Sequence, residues 1–262
     1  MARVGAVVLA AGSSSRLGRP KQLLSFRGET LVRRAVRAAV EAGCAPVVLV
    51  AGELAAKLRD EVRDTTARVV DNPYWERGLG TSIRCGMEEL AHSNDAVVLL
   101  VCDQPMVSAA VVTALVEAHQ KTGKPIVASC YAETLGVPAL FHSSCFEALL
   151  SLPDNSGAKA LIAARADDVC AVPLPHGAID IDTPDDYNAL MADVTIEIIE
   201  NGPYIVTGGA ELKDGDGNSY PAKQRIALCR CGASTTKPFC DGAHSKIGFQ
   251  AAERAVPGSA EG

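Results

Sequence analysis

Two rhythms of apolar and polar positions alternate along the first half of the chain. Val4-Gly5-Ala6-Val7-Val8-Leu9 is a short unbroken apolar run, the pattern of a strand buried on both faces. It predicts a strand over 3–10. Runs of the same kind predict strands over 45–51, 67–71, 96–102 and 125–130. The stretches between them carry a helical period. In 30–42, Leu31, Val32, Ala35, Val36, Ala39 and Val40 share one face. Arg33, Arg34 and Arg37 take the other, and Gly43 supplies the stop. Residues 53–63, 79–91 and 108–121 predict further helices. Such alternation implies an α/β domain with a mostly parallel sheet covered by helices on both faces. Ligands of such sheets sit beyond the carboxyl ends of the strands. Gly12 stands just past the end of the first strand.

After residue 130 the rhythm changes. Residues 131–142 predict an antiparallel insertion bent at Gly136 and Pro138. A helix capped by Asp154 or Ser156 is expected to run to 165. Short strands are expected at 169–173 and 178–182, and Pro184 opens a helix to 192. Alternation within 178–182 would put Asp180 and Asp182 on one side of a strand. Asp182 could also serve as an N-cap, with Asp185 and Asp186 complementing the helix dipole. From 194 the pattern is β-rich. Strands are expected at 194–199, 204–206, 210–212 and 226–228, with turn signals at Asn201-Gly202, Gly208-Gly209 and Asp216-Gly217. Few apolar residues remain there for a core, so a bound metal is expected to help hold it. This divides the chain into domains 1–192 and 193–250 and a disordered tail, 251–262.

Charge changes the picture at one place. The 262-residue chain is 48% hydrophobic with a formal net charge of −6, which argues against a nucleic-acid binder. Yet residues 1–40 hold eight Lys or Arg against one acidic residue, Glu29. Arg16, Arg19 and Lys21 follow the small-residue loop Ala10-Ala11-Gly12-Ser13-Ser14-Ser15. Exposed backbone N–H groups beside fixed positive charge suit the phosphates of a nucleotide. An ordinary strand-to-helix turn with solvated basic residues is the plainer alternative. Neither a signal peptide nor a membrane span is evident, the longest apolar stretch being 96–102. Cys44, Cys85, Cys102, Cys130, Cys145 and Cys170 are scattered among apolar segments, as expected of free thiols in a reducing cytoplasm.

The stretch Leu9-Ala10-Ala11-Gly12-Ser13, with Arg16, Gly18 and Lys21, resembles the signature of the MobA-like nucleotidyltransferases. The resemblance covers about 1–191. It includes Asp103-Gln104-Pro105 and Asp180-Ile181-Asp182-Thr183-Pro184-x-Asp186. It also includes the Asn72-Pro73-x-Trp75-x-x-Gly78-x-x-x-Ser82 block and Gly136-Val137-Pro138-Ala139-Leu140-Phe141. It implies a Rossmann-like nucleotidyltransferase fold. Leu9, Ala10, Ala11, Gly12, Ser13, Arg16, Lys21, Asn72, Gly78, Ser82 and Asp103 would bind the nucleotide. Asp103, with Asp182 beside it, would hold Mg²⁺, and Arg16 and Lys21 would neutralise charge. The Ala-Ala-Gly triplet resembles the molybdenum cofactor cytidylyltransferase branch. CTP, molybdopterin and molybdenum hydroxylase apo-enzymes are therefore the implied partners. One segment departs from the family: Pro153-Asp154-Asn155-Ser156-Gly157-Ala158-Lys159 has Lys where Arg is usual, lacks a preceding Gly and is one residue longer. A sugar or alcohol phosphate acceptor therefore stays open.

Near the C-terminus, Cys229, Cys231, Cys240 and His244 fall within sixteen residues. Soft thiolates suit Zn²⁺ or an iron–sulfur cluster, and a Cys₃His count by itself favours structural zinc. The wording of the motif, with Ser234, Pro238, Asp241 and Gly242 in place, resembles the CDGSH iron–sulfur domain over about 194–249. That implies a [2Fe–2S] cluster, with Cys229 and Cys231 on one iron and Cys240 and His244 on the other. His92, His119, His142 and His176 lack such company and are expected on the surface or in helices. An iron–sulfur carrier with a nucleotide-sensing domain is the non-enzymatic alternative.

Overall fold

The computed structural model describes residues 3–175, 177–191, 194–208, 210, 212–220 and 225–251. The expected tail beyond Ala251 lies outside them, as do His176, Ala192 at the end of the expected helix, and Glu211 within the expected strand 210–212. The chain divides into two compact units, Met1–Asp186 and Tyr187–Gly262.

In the first unit the order is β1 (Val4–Leu9), β2 (Ser25–Phe26), β3 (Glu29–Thr30), α1 (Leu31–Glu41), β4 (Val47–Ala51), α2 (Ala55–Val62), β5 (Arg68–Asp71), α3 (Leu79–Leu90), β6 (Ala96–Val101) and α4 (Ala109–Thr122). Next come β7 (Ile126–Tyr131), β8 (Thr134–His142), α5 (Phe146–Leu150), α6 (Ala158–Ala164), β9 (Val169–Pro173) and α7 (Pro184–Met191), whose range spans the division. Seven strands form one sheet in the order β5-β4-β1-β6-β8-β7-β9. Only β8 runs antiparallel to its neighbours, β6 and β7; every other pairing is parallel. This is the mostly parallel α/β sheet that the alternating pattern predicts.

Strand alternation sends neighbouring side chains to opposite faces. Ala6 and Val8 join one buried cluster with Val32, Val36 and Leu115. Val7 and Leu9 join the other with Ile83, Met87 and Phe146. Covering both faces keeps β1 rigid at the level where the loop after Leu9 begins.

Two expectations change. The expected strand at 178–182 is an irregular segment. Buried Ile181 anchors it, and the Ile181 N–H donates to the Asp103 carbonyl at 3.0 Å. The expected cap at Asp154 or Ser156 gives way to Gly157, and the helix begins at Ala158. The β2–β3 hairpin and α5 are too short for periodicity to reveal.

The second unit contains a three-stranded antiparallel sheet in the order β10 (Thr195–Ile198), β11 (Tyr204–Thr207), β12 (Arg225–Leu228), followed by α8 (Ala243–Lys246). Ile205, Val206 and Ile226 are the buried apolar side chains of that sheet. Ala210 and Leu212 belong to no strand.

Candidate functional site

The loop after β1 is wrapped around Gln22, which is 1% exposed. Its carboxamide donates to the carbonyls of Ala10 at 2.9 Å and Gly12 at 2.7 Å. The Ser14 hydroxyl donates to the Gln22 carboxamide oxygen at 3.3 Å and accepts from the Lys21 N–H at 3.0 Å. Gln22 is therefore the brace of the loop, which the motif does not single out. A lone polar residue beside Lys21, before Leu23, is its only trace in the sequence.

Two hollows border this loop. One, of about 300 Å³, is lined by Ala10–Ser15, Arg19 and Trp75, among others. The other, of about 400 Å³, is lined by Leu9, Ala10, Ala11, Gly12, Ser13, Lys21, Gly78, Ser82 and Asp103, among others. Most of the expected nucleotide residues thus face one cavity. Asn72 does not. It is 3% exposed and donates to Thr81 Oγ1 at 2.8 Å and Ser82 Oγ at 3.0 Å, while accepting from the Tyr74 N–H at 2.9 Å. It braces the loop from behind. Phe141 is fully buried and lines neither of these two hollows.

The acidic centre gathers around one ammonium. Lys21 Nζ lies 2.5 Å from Asp103 Oδ2 and 3.0 Å from Asp182 Oδ1. Arg16, 72% exposed and outside the lining of both hollows, pairs with the other Asp182 oxygen at 2.9 Å. Burial pulls the Lys21 pKa down, but the Asp103 charge and hydrogen bonds to Asp103 and Asp182 outweigh it, so the net shift is upward. Asp180 belongs to the same neighbourhood. Burial first, then the charges of Asp182 and Asp103, push its carboxyl up. Cys102, beside Asp103, is pushed up to about 12 by burial and stays a neutral thiol.

Local structure leaves Asp182 available. Thr183 and Asp186 cap α7 between themselves: the Thr183 N–H donates to Asp186 Oδ2 at 2.8 Å, and the Asp186 N–H donates to Thr183 Oγ1 at 3.2 Å. Asp103 is held through its neighbours. Arg34 donates twice to the Pro105 carbonyl, at 3.3 and 3.0 Å. Gln104 donates to the carbonyls of Val137 at 3.1 Å and Gly177 at 3.0 Å.

The divergent segment 153–159 packs on the start of α3. The Gly80 N–H donates to the Asp154 carbonyl at 2.8 Å. A Cβ at Gly80 would strike the Pro153 carbonyl, so only glycine admits this approach. Arg84 binds both the Leu152 carbonyl and the Asp154 carboxylate. Lys159 is exposed.

Two carboxylates aimed at one cation make the hard oxygen donor set of a divalent ion completed by phosphates. In this structure the cation between the two carboxylates is the Lys21 ammonium. Among the described residues, no three His, Cys, Asp or Glu groups form a complete cage alone.

In the second unit, residues 227–229 run beside 238–240. The Cys229 N–H donates to the Pro238 carbonyl at 2.9 Å and the Cys240 N–H to the Ala227 carbonyl at 2.8 Å. The four expected ligands fall into two pairs. Cys229 and Cys231 Sγ are 3.8 Å apart, and Cys240 Sγ is 3.3 Å from His244 Nδ1. Two sulfurs bound at about 2.3 Å to one tetrahedral metal lie about 3.8 Å apart. Each pair has a spacing that one metal centre can span. N–H groups of Ser234, Gly232 and Cys231 hold the Cys229 thiol pKa below its usual value, with a contribution from the Cys231 side chain. The other motif residues shape the loop. Ser234 Oγ donates to the Phe239 carbonyl at 2.6 Å. Asp241, lowered to about 2, accepts from the Thr235 N–H and hydroxyl and from the Ala243 N–H. All nine cysteines are free.

A mostly parallel sheet with a glycine-bearing loop, Lys21 and Asp103 at one cavity, and Asp182 paired to that lysine outside its lining, has the layout of a nucleotide-handling α/β protein. The chain belongs to the MobA-like NTP transferase domain family, whose sequence model matches residues 6–169. Residues 201–245 match the iron-binding zinc finger of CDGSH type. Nicotine blue oxidoreductase of Paenarthrobacter nicotinovorans is 37% identical over 118 residues, 45% of this chain and 57% of that protein. The alignment thus spans little more than half of that relative's length. The crystal structure of Rv0371c from Mycobacterium tuberculosis has a TM-score of 0.62 at 31% identity, covering 71% of this chain and 96% of that one. A second structure of Rv0371c, in complex with manganese, has a TM-score of 0.57 at 28% identity and the same coverage.

Proposed function

We propose that the first unit transfers CMP from CTP to the phosphate of molybdenum-molybdopterin and releases pyrophosphate. The observation that supports it is the Lys21 ammonium between Asp103 and Asp182, beside the cavity lined by Ala10–Ser13. The reaction is an in-line displacement. An acceptor phosphate oxygen attacks the α-phosphorus, the bond to the bridging oxygen breaks, and pyrophosphate takes that electron pair. The attacking oxygen is already anionic, so no general base is needed. The remaining burden is electrostatic. Asp103, with Asp182 beside it, would hold Mg²⁺, whose chemistry is neutralisation of adjacent phosphate oxygens. Lys21, released from the carboxylates, and Arg16 would carry positive charge to the triphosphate. Manganese in the Rv0371c structure supports divalent-ion use in this fold.

The second unit would carry a [2Fe–2S] cluster on Cys229 and Cys231 at one iron and Cys240 and His244 at the other. Its fusion to the first unit would link cofactor maturation to iron–sulfur status. The domain limits 1–192 and 193–250 belong to the same proposal. Among the described residues no helix is long and apolar enough to cross a membrane. A cytoplasmic location is part of the reading.

The test is pyrophosphate release from CTP and GTP with Mg²⁺, against molybdopterin and a panel of sugar and alcohol phosphates. Release dependent on CTP and molybdopterin supports the proposal. Release with a sugar or alcohol phosphate alone replaces the acceptor, which the divergent 153–159 segment keeps open. A second reading follows from the relative named nicotine blue oxidoreductase. There the first unit takes part in redox chemistry with the iron-binding unit. Nucleotide binding without turnover, with reduction of an added acceptor dye, would favour that reading.

A further inference from the structure

The iron-binding match ends at residue 245, but the second unit continues as an ordered strap beyond it. We propose that Phe249 is a positioning residue that ties the two ligand pairs together and slows loss of the metal group they hold. This rests on the reading that Cys229, Cys231, Cys240 and His244 hold an iron–sulfur cluster.

Arg230 lies between Cys229 and Cys231 in sequence. Its guanidinium carbon is 5.4 Å from the ring centroid of Tyr204 and 5.6 Å from that of Phe249. Its Nη1 donates to the Ile199 carbonyl at 3.0 Å. The backbone of Phe249 reaches the other pair, its N–H donating to the His244 carbonyl at 3.0 Å. One residue therefore contacts the side chain between the first two ligands and the main chain of the fourth.

The strap is fastened again two residues on. The Asn201 N–H donates to the Ala251 carbonyl, and the Ala251 N–H donates to Asn201 Oδ1, both at 2.8 Å. Asn201 has φ of 51° in the turn that ends β10, and Ile199 of that turn is the group Arg230 holds. Segment 249–251, the 199–202 turn and Arg230 therefore make a closed ring of contacts.

The physical consequence is kinetic. A two-metal group is lost when one pair separates from the other. A contact spanning both pairs opposes that separation without being a ligand. A cation–ring contact within about 6 Å is weak when exposed, corresponding to roughly a two- to fivefold effect.

The test uses the full chain purified anaerobically with its iron. Loss of visible absorption is followed in excess chelator for wild type, Phe249→Leu, Phe249→Tyr, Arg230→Gln and the Phe249→Leu/Arg230→Gln double variant. Far-UV circular dichroism checks folding. Phe249→Leu should lose absorption about two to five times faster, Phe249→Tyr should restore the wild-type rate, and the double variant should add little to the single ones. A wild-type rate in Phe249→Leu overturns the proposal, as does an effect equal in the Leu and Tyr variants or fully additive in the double variant. A wild-type chain that binds iron poorly and lacks the visible band overturns the cluster reading beneath it.

Discussion

The groups that meet at Lys21 come from far apart in the chain. Asp103 stands 82 residues from it and Asp182 161 residues, while the four candidate ligands of the second unit lie within sixteen. The first arrangement depends on a seven-stranded sheet with two buried clusters. The second is set by a short hairpin beside Ile205, Val206 and Ile226. A metal bound there would contribute to folding. Distant donors need a stable scaffold, whereas neighbouring donors can make the metal the scaffold.

Four changes probe that contrast. The largest effect belongs to Cys240→Ser. It should abolish the visible absorption and the iron content and remove the second unit's share of a thermal unfolding trace. The first unit's transition should persist. Unchanged CMP transfer under all redox conditions in this variant would break the proposed link between the units.

Next is Asp103→Asn, expected to reduce pyrophosphate release by about 10²–10³-fold. Iron content should stay at the wild-type level, and a parallel loss of both would show that the two sites do not behave separately. Lys21→Met should slow the reaction while improving Mn²⁺ binding without nucleotide by about tenfold, read by electron paramagnetic resonance. The reason is that an ion entering the wild-type centre must break charge-assisted hydrogen bonds to Lys21. Equal Mn²⁺ affinity in both proteins would show that Lys21 does not compete with a divalent ion for these carboxylates.

The smallest effect is Asp186→Ala, about 1 kcal/mol or less by denaturant unfolding at neutral pH. The Thr183 hydroxyl lowers the Asp186 pKa from 3.8 and the Thr183 and Asp182 N–H groups add to it, so the stabilisation is present above pH 3.8. It fades as pH falls through the lower folded-state value. The gap between variant and wild type should close there.

Much of this was legible in residue order. The run ending at Leu9, the Gly12 loop, and the Cys229–His244 spacing are local patterns, and local patterns survive without tertiary information. Asn72 reads as a ligand because a polar residue in a motif looks the same whether it faces a cavity or a neighbouring loop. Only the return of Thr81 and Ser82 on α3 makes it a brace. The 178–182 segment carries a strand-like alternation, but its buried Ile181 is used as a single anchor under Asp103.

The sequence alone determined the alternating elements, the family and the crowding of sulfur ligands, because each rests on spacing between near neighbours. Tertiary structure decided that Gln22 supports the loop, that Thr183 and Asp186 leave Asp182 free, and that one ammonium joins two carboxylates. The last depends on where parallel crossovers return the chain, and no short-range pattern encodes the distance between side chains 82 and 161 residues apart.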